Sequence, residues 1–227
     1  MKTPLGHARF HRCILLATAL AAVSAICPPA WSQQRKTDKT ARPRSLFDGK
    51  TLKNWKVVNE FDFARHGKVT VENGVIVLAP GKPGTGIAWT GPFPRDNYEV
   101  SLEAMRYTGE DFFCGMTFPV GKEYCTLILG GWGGTLIGLS NIDGQPADEN
   151  ETTQAERFAA NRWYHVRLRV TRAAIEVWLD KESIIRVERK DREFSIWWEQ
   201  EPMRPFGIAS WYTGSKLRNI ALKDLKP

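Results

Sequence analysis

The feature that most restricts the fold of this chain is a regular alternation of apolar and polar residues along many short segments. Residues 98–106 alternate Tyr, Val, Leu and Ala with Glu and Ser, and residues 163–170 alternate apolar side chains with His and Arg. A period of two turns one side of a strand towards a core and the other side towards water. About a dozen such segments, separated by turn residues, predict an all-β protein built as an antiparallel β-sandwich or jelly roll.

Turn chemistry supports the same fold class. Asn73-Gly74 interrupts an apolar stretch at 68–78, and this dipeptide is the strongest short-range signal for a β-hairpin. Residues 152–160 are the one segment whose pattern would allow a helical turn or two. Further strands are predicted at 175–179, 183–187, 206–211 and 217–225.

The first 32 residues have the organisation of an export leader. Lys2, Arg9 and Arg12 precede an apolar stretch, and residues 30–32 (AWS) offer small side chains at the positions that flank a cleavage site. The sequence therefore predicts a protein that is secreted or periplasmic after cleavage, with a lipid anchor at Cys27 as the alternative. No apolar run reaches the roughly 18 residues that a membrane-spanning helix needs.

Removing this leader changes the charge balance. The full chain has a net charge of +7, whereas the remainder carries 29 basic and 25 acidic residues, a balance of +4. So mild an excess argues against nucleic acid as a partner. Beyond the leader at 1–32, the sequence predicts a flexible basic arm at 33–44 and a folded sandwich at 45–227; it does not indicate a protein partner.

Two cysteines remain after the leader, and their redox state is open. Residues 114–126 are predicted to form a hairpin that turns at 119–121, and aligning Phe118 with Gly121 places Cys114 directly opposite Cys125. Directly opposed residues have Cβ atoms about 4.5–5.5 Å apart, slightly more than the ~3.8 Å of a disulfide. A disulfide and two buried free thiols are therefore both compatible with the sequence.

The two ends of the predicted sandwich carry recognisable motifs. Residues 45–55 (SLFDGKTLKNW) resemble the opening signature "LFNGKDLSGW" of the 3-keto-disaccharide hydrolase domain family, and residues 217–225 (LRNIALKDL) resemble its closing strand "FRNIRIREL". Residues 162–180 are similar to the paired strands of laminin-G and concanavalin-like sandwiches. The central strands differ: FCGM at 113–116 and KEYCT at 122–126 stand where the family commonly has an "NSG" turn and a "GYEVQI"-like strand.

The resemblance implies a concanavalin-like jelly roll that acts on sugars. Members of the family are associated with cleaving glycosides whose third sugar carbon has been oxidised to a ketone. Such a ketone acidifies the hydrogen at C2, so a general base can remove it and the aglycone can leave by elimination. Two other functions stay open: a non-catalytic carbohydrate-binding module, which the altered central strands favour, and a laminin-G-like protein-binding domain.

Candidate site residues are aromatic side chains that could hold a sugar and carboxylates that could serve as the base. In residues 130–134 (GGWGG) the glycines clear space around the indole of Trp132, although they also suit a tight bend at a sheet edge. The predicted bases are Glu123, Asp143, Glu149 and Glu151. The predicted sugar-binding residues are Trp132, Tyr124, Arg106, His165 and Trp211.

No cofactor or metal site is predicted. The hard oxygens of the acidic run at 143–151 would suit Ca²⁺, which is the alternative, but the run lacks the alternating ligands and central glycine of a calcium loop. His66 and His165 lie far apart in the chain without a neighbouring ligand cluster, so zinc is not indicated.

Overall fold

Strand pairing arranges the alternating segments into two antiparallel sheets. The computed structural model describes residues 42–226; the predicted leader and most of the predicted arm lie outside the described residues, so neither prediction is tested. The strands of residues 42–226 are β1 (Arg44–Ser45), β2 (Trp55–Val57), β3 (Val69–Glu72), β4 (Val75–Leu78), β5 (Gly84–Trp89), β6 (Tyr98–Thr108), β7 (Cys114–Val120), β8 (Glu123–Gly130), β9 (Leu136–Ser140), β10 (Gln154–Ala155), β11 (Tyr164–Val170), β12 (Ala174–Leu179), β13 (Glu182–Glu188), β14 (Gly207–Trp211) and β15 (Gly214–Asp224).

The two sheets form a sandwich, which confirms the predicted fold class. Sheet 1 has the order β13-β12-β11-β6-β15-β4-β3, with β1 also paired to β15, and sheet 2 has the order β10-β9-β8-β7-β14-β5-β2. Inward-facing residues of both sheets form one large hydrophobic core. The helical segments of residues 42–226 are short: the 3₁₀ helices Phe61–Phe63 and Trp198–Met203 and a four-residue turn, Gly131–Gly134. None of them is long and apolar enough to cross a membrane.

The opening signature has a structural role. Asp48 accepts hydrogen bonds from the Thr51 hydroxyl (2.7 Å) and from the backbone N–H groups of Thr51 (2.7 Å) and Lys50 (2.8 Å). These bonds, that of the Thr51 side chain above all, lower the pKa of Asp48 to about 2. Buried Trp55 donates its indole N–H to the carbonyl of Leu46 at 2.8 Å. The motif is therefore a hydrogen-bonded turn with an indole anchor.

The closing strand β15 lies at the centre of sheet 1 and pairs with both the long strand β6 and the opening segment. Arg44, which falls in the predicted flexible arm, lies opposite Leu222 in the sheet, and the N–H of Leu46 bonds to the carbonyl of Ile220 at 2.8 Å. The two end motifs therefore meet in one sheet, although more than 160 residues separate them in the sequence.

The Asn73-Gly74 hairpin is confirmed, whereas two local predictions are wrong. Asn73 and Gly74 have φ values of 50° and 79° between β3 and β4, as a type I′ turn requires. Residues 152–160 form no helix, because Gln154–Ala155 pairs with β9 instead. The hairpin that contains the cysteines turns two residues later than predicted, with Val120 opposite Glu123.

This change of register separates the two thiols. Cys125 lies opposite Phe118 and Cys114 lies opposite Leu129. Four positions along a strand correspond to about 13 Å, which is far beyond disulfide reach. Both cysteines are free and fully buried, and burial raises the pKa of both thiols.

Candidate functional site

A cleft of about 380 Å³ lies on the outer face of sheet 2. Its floor comes from the alternate residues of β8 and β9 that point away from the core, and its walls come from three loop segments. The apolar lining residues are Phe112, Ile128, Trp132, Trp197 and Trp211. The polar lining residues are Asp111, Thr126, Ser140, Glu199 and Gln200.

One wall is the 3₁₀ helix Trp198–Met203, which packs tightly on the outer face of the sheet. Met203 is fully buried and packs against Gly86 and Gly207. A Cβ atom added to Gly86 would lie 2.2 Å from the Met203 side chain, and one added to Gly207 would lie 2.7 Å from it, so only glycine fits at either position. Gln200 is buried on the same helix, and its Oε1 accepts a long hydrogen bond (3.4 Å) from the hydroxyl of Thr117 on the sheet. The short helix is therefore held in one position relative to the floor.

Trp132 forms the opposite rim in a strained turn. Its φ is 47°, in the left-handed region that bulky residues rarely adopt, and Gly133 and Gly134 beside it have φ values of 87° and 91°. Strain of this kind costs about 1–3 kcal/mol and is concentrated at binding sites. The indole is 49% exposed, so the turn presents it to the cleft instead of burying it. The glycines therefore make a tight bend: a Cβ at Gly130 or Gly131 would meet Phe113 or Ile128, and one at Gly134 would meet Arg106.

Asp111 links this turn to the segment that leads into β7. One of its carboxylate oxygens accepts the backbone N–H of Phe112 at 2.7 Å, and the backbone N–H of Trp132 also bonds to the carboxylate. Burial raises the pKa of Asp111 and outweighs the lowering effect of both N–H groups. The environment of Asp111 therefore favours the protonated carboxylic acid more than water would.

Asp111→Asn should reduce the loss of stability that occurs as pH rises above the ordinary aspartate pKa of 3.8. Because the pKa of Asp111 is raised in the folded protein, the folded state binds more protons than the unfolded state above pH 3.8. The free energy of unfolding therefore falls until the pH exceeds the folded-state pKa. Asparagine keeps an acceptor oxygen for both N–H groups but cannot ionise.

The measurement is the thermal midpoint from about pH 4 to about pH 7 for both proteins. Asp48→Asn is the matched control. The lowered pKa of Asp48 stabilises the fold above pH 3.8 and loses that effect only as pH falls towards 2, below this window. The Asp48→Asn curve should therefore run parallel to that of the wild type. An Asp111→Asn curve that also runs parallel would contradict the assignment.

Glu199 is the second carboxylate of the cleft, and it differs from Asp111 in its partners. Its Oε2 atom is buried and has no hydrogen-bond partner among the described residues. A buried acceptor without a protein partner costs free energy unless a ligand or a water molecule supplies the missing bond. Glu199 is therefore positioned to accept a hydrogen bond or a proton from a bound molecule.

The cleft combines apolar walls with two carboxyl groups in different environments. Such a difference allows one carboxyl group to act as a general acid and the other as a general base. Its lining within residues 42–226 contains no Lys, Arg or His. Two acidic groups without a neighbouring cation disfavour an anionic ligand. The site is suited to a neutral molecule with both a flat apolar surface and polar groups.

Two of the predicted site residues line this cleft. Trp132 forms one rim, and Trp211 forms part of the wall, where its ring stacks on Phe112 (centroids 5.7 Å apart) and meets Phe63 edge-on (6.0 Å). The other seven predicted residues lie elsewhere.

Glu123 and Tyr124 line a separate hollow of about 290 Å³. Glu123 accepts the backbone N–H of Phe194 at 3.1 Å, and the phenol of Tyr124 accepts a hydrogen bond from Arg95 at 2.8 Å. The guanidinium groups of Arg95 and Arg204 both lie over the Tyr124 ring. These contacts give both residues structural partners.

The acidic run at 143–151 is a structural loop. Asp143 and Glu151 both form ion pairs with Arg192, and Glu149 is exposed on the same loop. The amide of Asn150 is directed inwards, where it donates to the carbonyls of Leu139 and Pro146. The carboxylates of Asp143 and Glu151 are therefore already paired with a protein cation. No cluster of three His, Cys, Asp or Glu side chains suited to a metal occurs within residues 42–226.

Arg106 and His165 also lie outside the cleft. Arg106 donates to the carbonyls of Gly134 (3.3 Å) and Phe158 (2.5 Å), so it supports the Trp132 turn from behind. His165 is exposed on sheet 1, opposite Glu103 of β6, on the other side of the sandwich.

Sequence reasoning did not identify Asp111 or Glu199. Each is adjacent to an aromatic pair: Asp111 precedes Phe112-Phe113, and Glu199 follows Trp197-Trp198. An acidic residue next to large apolar side chains is placed where burial can alter its pKa or leave it without a partner. That local pattern was the available signal.

A larger hollow of about 430 Å³ lies elsewhere, between the β9–β10 edge of sheet 2 and β11 to β13 of sheet 1. Its lining includes the Arg162–Asp180 ion pair (2.6 Å), and its one aromatic residue, Tyr164, is buried beneath the Arg162 guanidinium. It offers no exposed ring to a sugar. The smaller, aromatic cleft is therefore the better candidate for the functional site.

Comparison with known sequences identifies one family. The model of the 3-keto-alpha-glucoside-1,2-lyase-like domain matches residues 42–223, which is nearly all of the described sandwich. No curated protein matches the chain in sequence.

Solved structures with the same fold are distant in sequence. The exoplasmic/lumenal domain of VIP36, bound to Ca²⁺ and Man3GlcNAc, is 10% identical with a TM-score of 0.56, over 82% of this chain and 92% of that one. A second structure belongs to work on the endo-acting O-glycanases that prominent members of the human gut microbiota express to initiate mucin breakdown. It is 14% identical with a TM-score of 0.54, over 82% of this chain and 100% of that one. The Crh5 transglycosylase in complex with NAG is 13% identical, with a TM-score of 0.52, over 83% and 89%. At these identities the likeness shows the fold alone, a sandwich shared by carbohydrate-binding and carbohydrate-cleaving proteins.

Proposed function

Since the chain belongs to the 3-keto-alpha-glucoside-1,2-lyase-like domain family, we propose that it is an exported enzyme that cleaves 3-keto-glycosides by elimination. The observation that carries this proposal is one aromatic cleft that contains both Asp111, whose pKa is raised, and Glu199, which has a buried, unpaired oxygen. Export rests on the leader predicted at 1–32. The proposal moves the base from the residues predicted by sequence to Glu199.

The reaction uses the ketone at C3 to make the C2 hydrogen acidic. The Glu199 carboxylate takes the C2 proton, and the electron pair of that bond moves towards the C3 carbonyl to form an enolate. The enolate then collapses to a C1–C2 double bond and breaks the bond between C1 and the aglycone oxygen. Asp111 in its protonated form gives its proton to the departing oxygen, so the products are the free aglycone and an unsaturated 3-keto sugar.

The environments of the two carboxylates fit these roles. A general acid must hold a proton near neutral pH, and burial raises the pKa of Asp111 in that direction. A general base needs an oxygen that no protein donor occupies, and Glu199 Oε2 has none among the described residues. The Trp132 and Trp211 rings provide apolar surface for the sugar, and the acidic lining favours a neutral one.

The test is release of aglycone when the purified protein is incubated with 3-keto-trehalose or a 3-keto-glucoside. Release from the oxidised substrates and none from trehalose or the unoxidised glucoside is expected, because only the ketone acidifies C2. Equal cleavage of the unoxidised compounds would contradict the elimination mechanism.

A carbohydrate-binding module without catalytic activity is the second candidate, and the exposed indole of Trp132 favours it specifically. Saturable binding of 3-keto-glycosides without any aglycone release would establish the module instead of the enzyme.

Trp132→Ala should weaken substrate binding under either function. Removing an indole that covers one side of a sugar is expected to cost roughly 1–2 kcal/mol, or about 5- to 30-fold in Kd. The measurement is isothermal titration with the unoxidised glucoside, and Trp132→Phe is the control that retains an aromatic surface. Unchanged affinity in Trp132→Ala would show that the ring does not contact the ligand.

A further inference from the structure

The exposed aromatic side chains of this protein are not scattered. Within residues 42–226 the large hydrophobic side chains that are exposed are Phe61, Trp132, Trp197, Trp198 and Tyr212. Trp132 and Trp197 line the cleft, Trp198 adjoins it in sequence, and Tyr212 contacts the lining residue Trp211. Exposed apolar residues gathered at one place mark a binding surface, whereas isolated ones need no explanation.

Phe61 and Trp198 form a right-angled corner beside the cleft. Their ring centroids are 5.2 Å apart and their planes meet at 79°, so each ring still presents surface to solvent. Trp198 directly precedes Glu199, which places the corner next to the proposed base. We call this pair the Phe61–Trp198 corner.

Both rings of the corner belong to anchored segments. Phe61 begins the 3₁₀ helix Phe61–Phe63, whose Phe63 is fully buried and contacts Trp211. Trp198 begins the 3₁₀ helix that Met203 and Gln200 hold against sheet 2. The corner is therefore preorganised, which lowers the entropy cost of binding a ligand there.

We propose that the Phe61–Trp198 corner is the subsite for the leaving group and that it takes an aromatic ring, so that the preferred substrates are aryl 3-keto-glycosides. This inference rests on the proposed function. An aryl ring can stack on one wall of the corner while it presents its edge to the other, and aromatic pairs favour both arrangements.

A second sugar would fit the corner less well. Its hydroxyl groups need hydrogen-bond partners, and the two side chains together offer a single donor, the indole N–H. An anionic leaving group is disfavoured by the neighbouring carboxylates. A neutral aromatic aglycone satisfies both constraints.

The test compares kcat/KM for 4-hydroxyphenyl 3-keto-glucoside with kcat/KM for methyl 3-keto-glucoside. The wild type is expected to favour the aryl substrate, and Trp198→Ala and Phe61→Ala should each lower that preference about tenfold. Trp163→Ala is the matched control, because its indole packs with Arg218 of sheet 1 on the other side of the sandwich, and it should leave the preference unchanged. An equal preference in all four proteins would overturn the subsite. A loss on 3-keto-trehalose as large as the loss on the aryl substrate would reassign the corner to a sugar.

A binding experiment separates failure of this inference from failure of the proposed function. The probes are phenyl glucoside and methyl glucoside, neither of which is oxidised and neither of which requires turnover. Tighter binding of the phenyl compound in the wild type, lost in Trp198→Ala, would support the subsite even if no 3-keto-glycoside is cleaved. Equal affinity for the two probes would overturn the subsite even if cleavage is observed.

Discussion

Replacing Glu199 by glutamine is expected to lower kcat for a 3-keto-glucoside by about 10²- to 10⁴-fold, the usual contribution of a general base. Glutamine has nearly the same shape but cannot accept a proton at neutral pH. The variant should still bind the substrate, because the aromatic walls and the floor of the cleft are unchanged.

The loss should not come from unfolding. Glu199 Oε2 has no hydrogen-bond partner among the described residues, so the substitution breaks no hydrogen bond at this atom. The thermal midpoint of Glu199→Gln should therefore equal or exceed that of the wild type. A decrease in kcat without a decrease in stability would distinguish a catalytic carboxylate from a structural one.

Glu201→Gln is the matched control. Glu201 lies on the same 3₁₀ helix but points away from the cleft, pairs with Arg204 at 2.5 Å and lines the hollow beside Tyr124. Its replacement should leave kcat within about twofold of the wild type, since surface ion pairs contribute little. Equal losses in the two variants would indicate that the helix, and not the Glu199 carboxylate, controls activity.

Phe206→Ala is expected to destabilise the sandwich by about 3–5 kcal/mol. Phe206 is fully buried directly before β14, stacks on Phe93 at a centroid distance of 4.7 Å and contacts Trp55, the anchor of the opening motif. Truncation leaves a cavity that neighbouring rings cannot fill. For a domain of this size the thermal midpoint should fall by roughly 6–20 °C.

Thermal unfolding followed by circular dichroism measures this effect, with Tyr212→Ala as the control. The Tyr212 ring is 59% exposed, so its removal should change the free energy of unfolding by less than about 1 kcal/mol. If the two variants melted at the same temperature, Phe206 would not contribute to the stability of the core next to β14.

Much of the fold could be predicted because its signals are local. Alternation in β6, β11 and β12 depends only on neighbouring residues and on a core that lies to one side. Asn73 and Gly74 favour the positive φ values of a type I′ turn by themselves, so this turn does not depend on a distant contact. The register of the β7–β8 hairpin is different, because the turn at Gly121 is also fixed by Arg95, which donates to the carbonyls of Gly121 in the turn and of Glu123 at the start of β8. A contact from 26 positions away cannot be read from the hairpin itself.

The candidate site was harder to predict because its lining comes from segments that lie far apart in the sequence, between Asp111 and Trp211. Trp132 could be identified from its glycine neighbours and Trp211 from its position near the end of a strand. Glu199 lies on a 3₁₀ helix that sequence periodicity does not indicate, and Met203 and Gln200 hold that helix through contacts with other strands. The acidic run at 143–151 appeared catalytic because its carboxylates are close in sequence, whereas Arg192 binds two of them.

The central claim is that Glu199 removes the C2 proton of a 3-keto-glycoside bound in the cleft on sheet 2. The most direct test is the initial rate of aglycone release from 3-keto-glucoside that carries hydrogen or deuterium at C2. We predict slower release from the deuterated substrate by the wild type, and negligible release from either substrate by Glu199→Gln. Identical rates for the two isotopes, together with undiminished release by Glu199→Gln, would contradict the account.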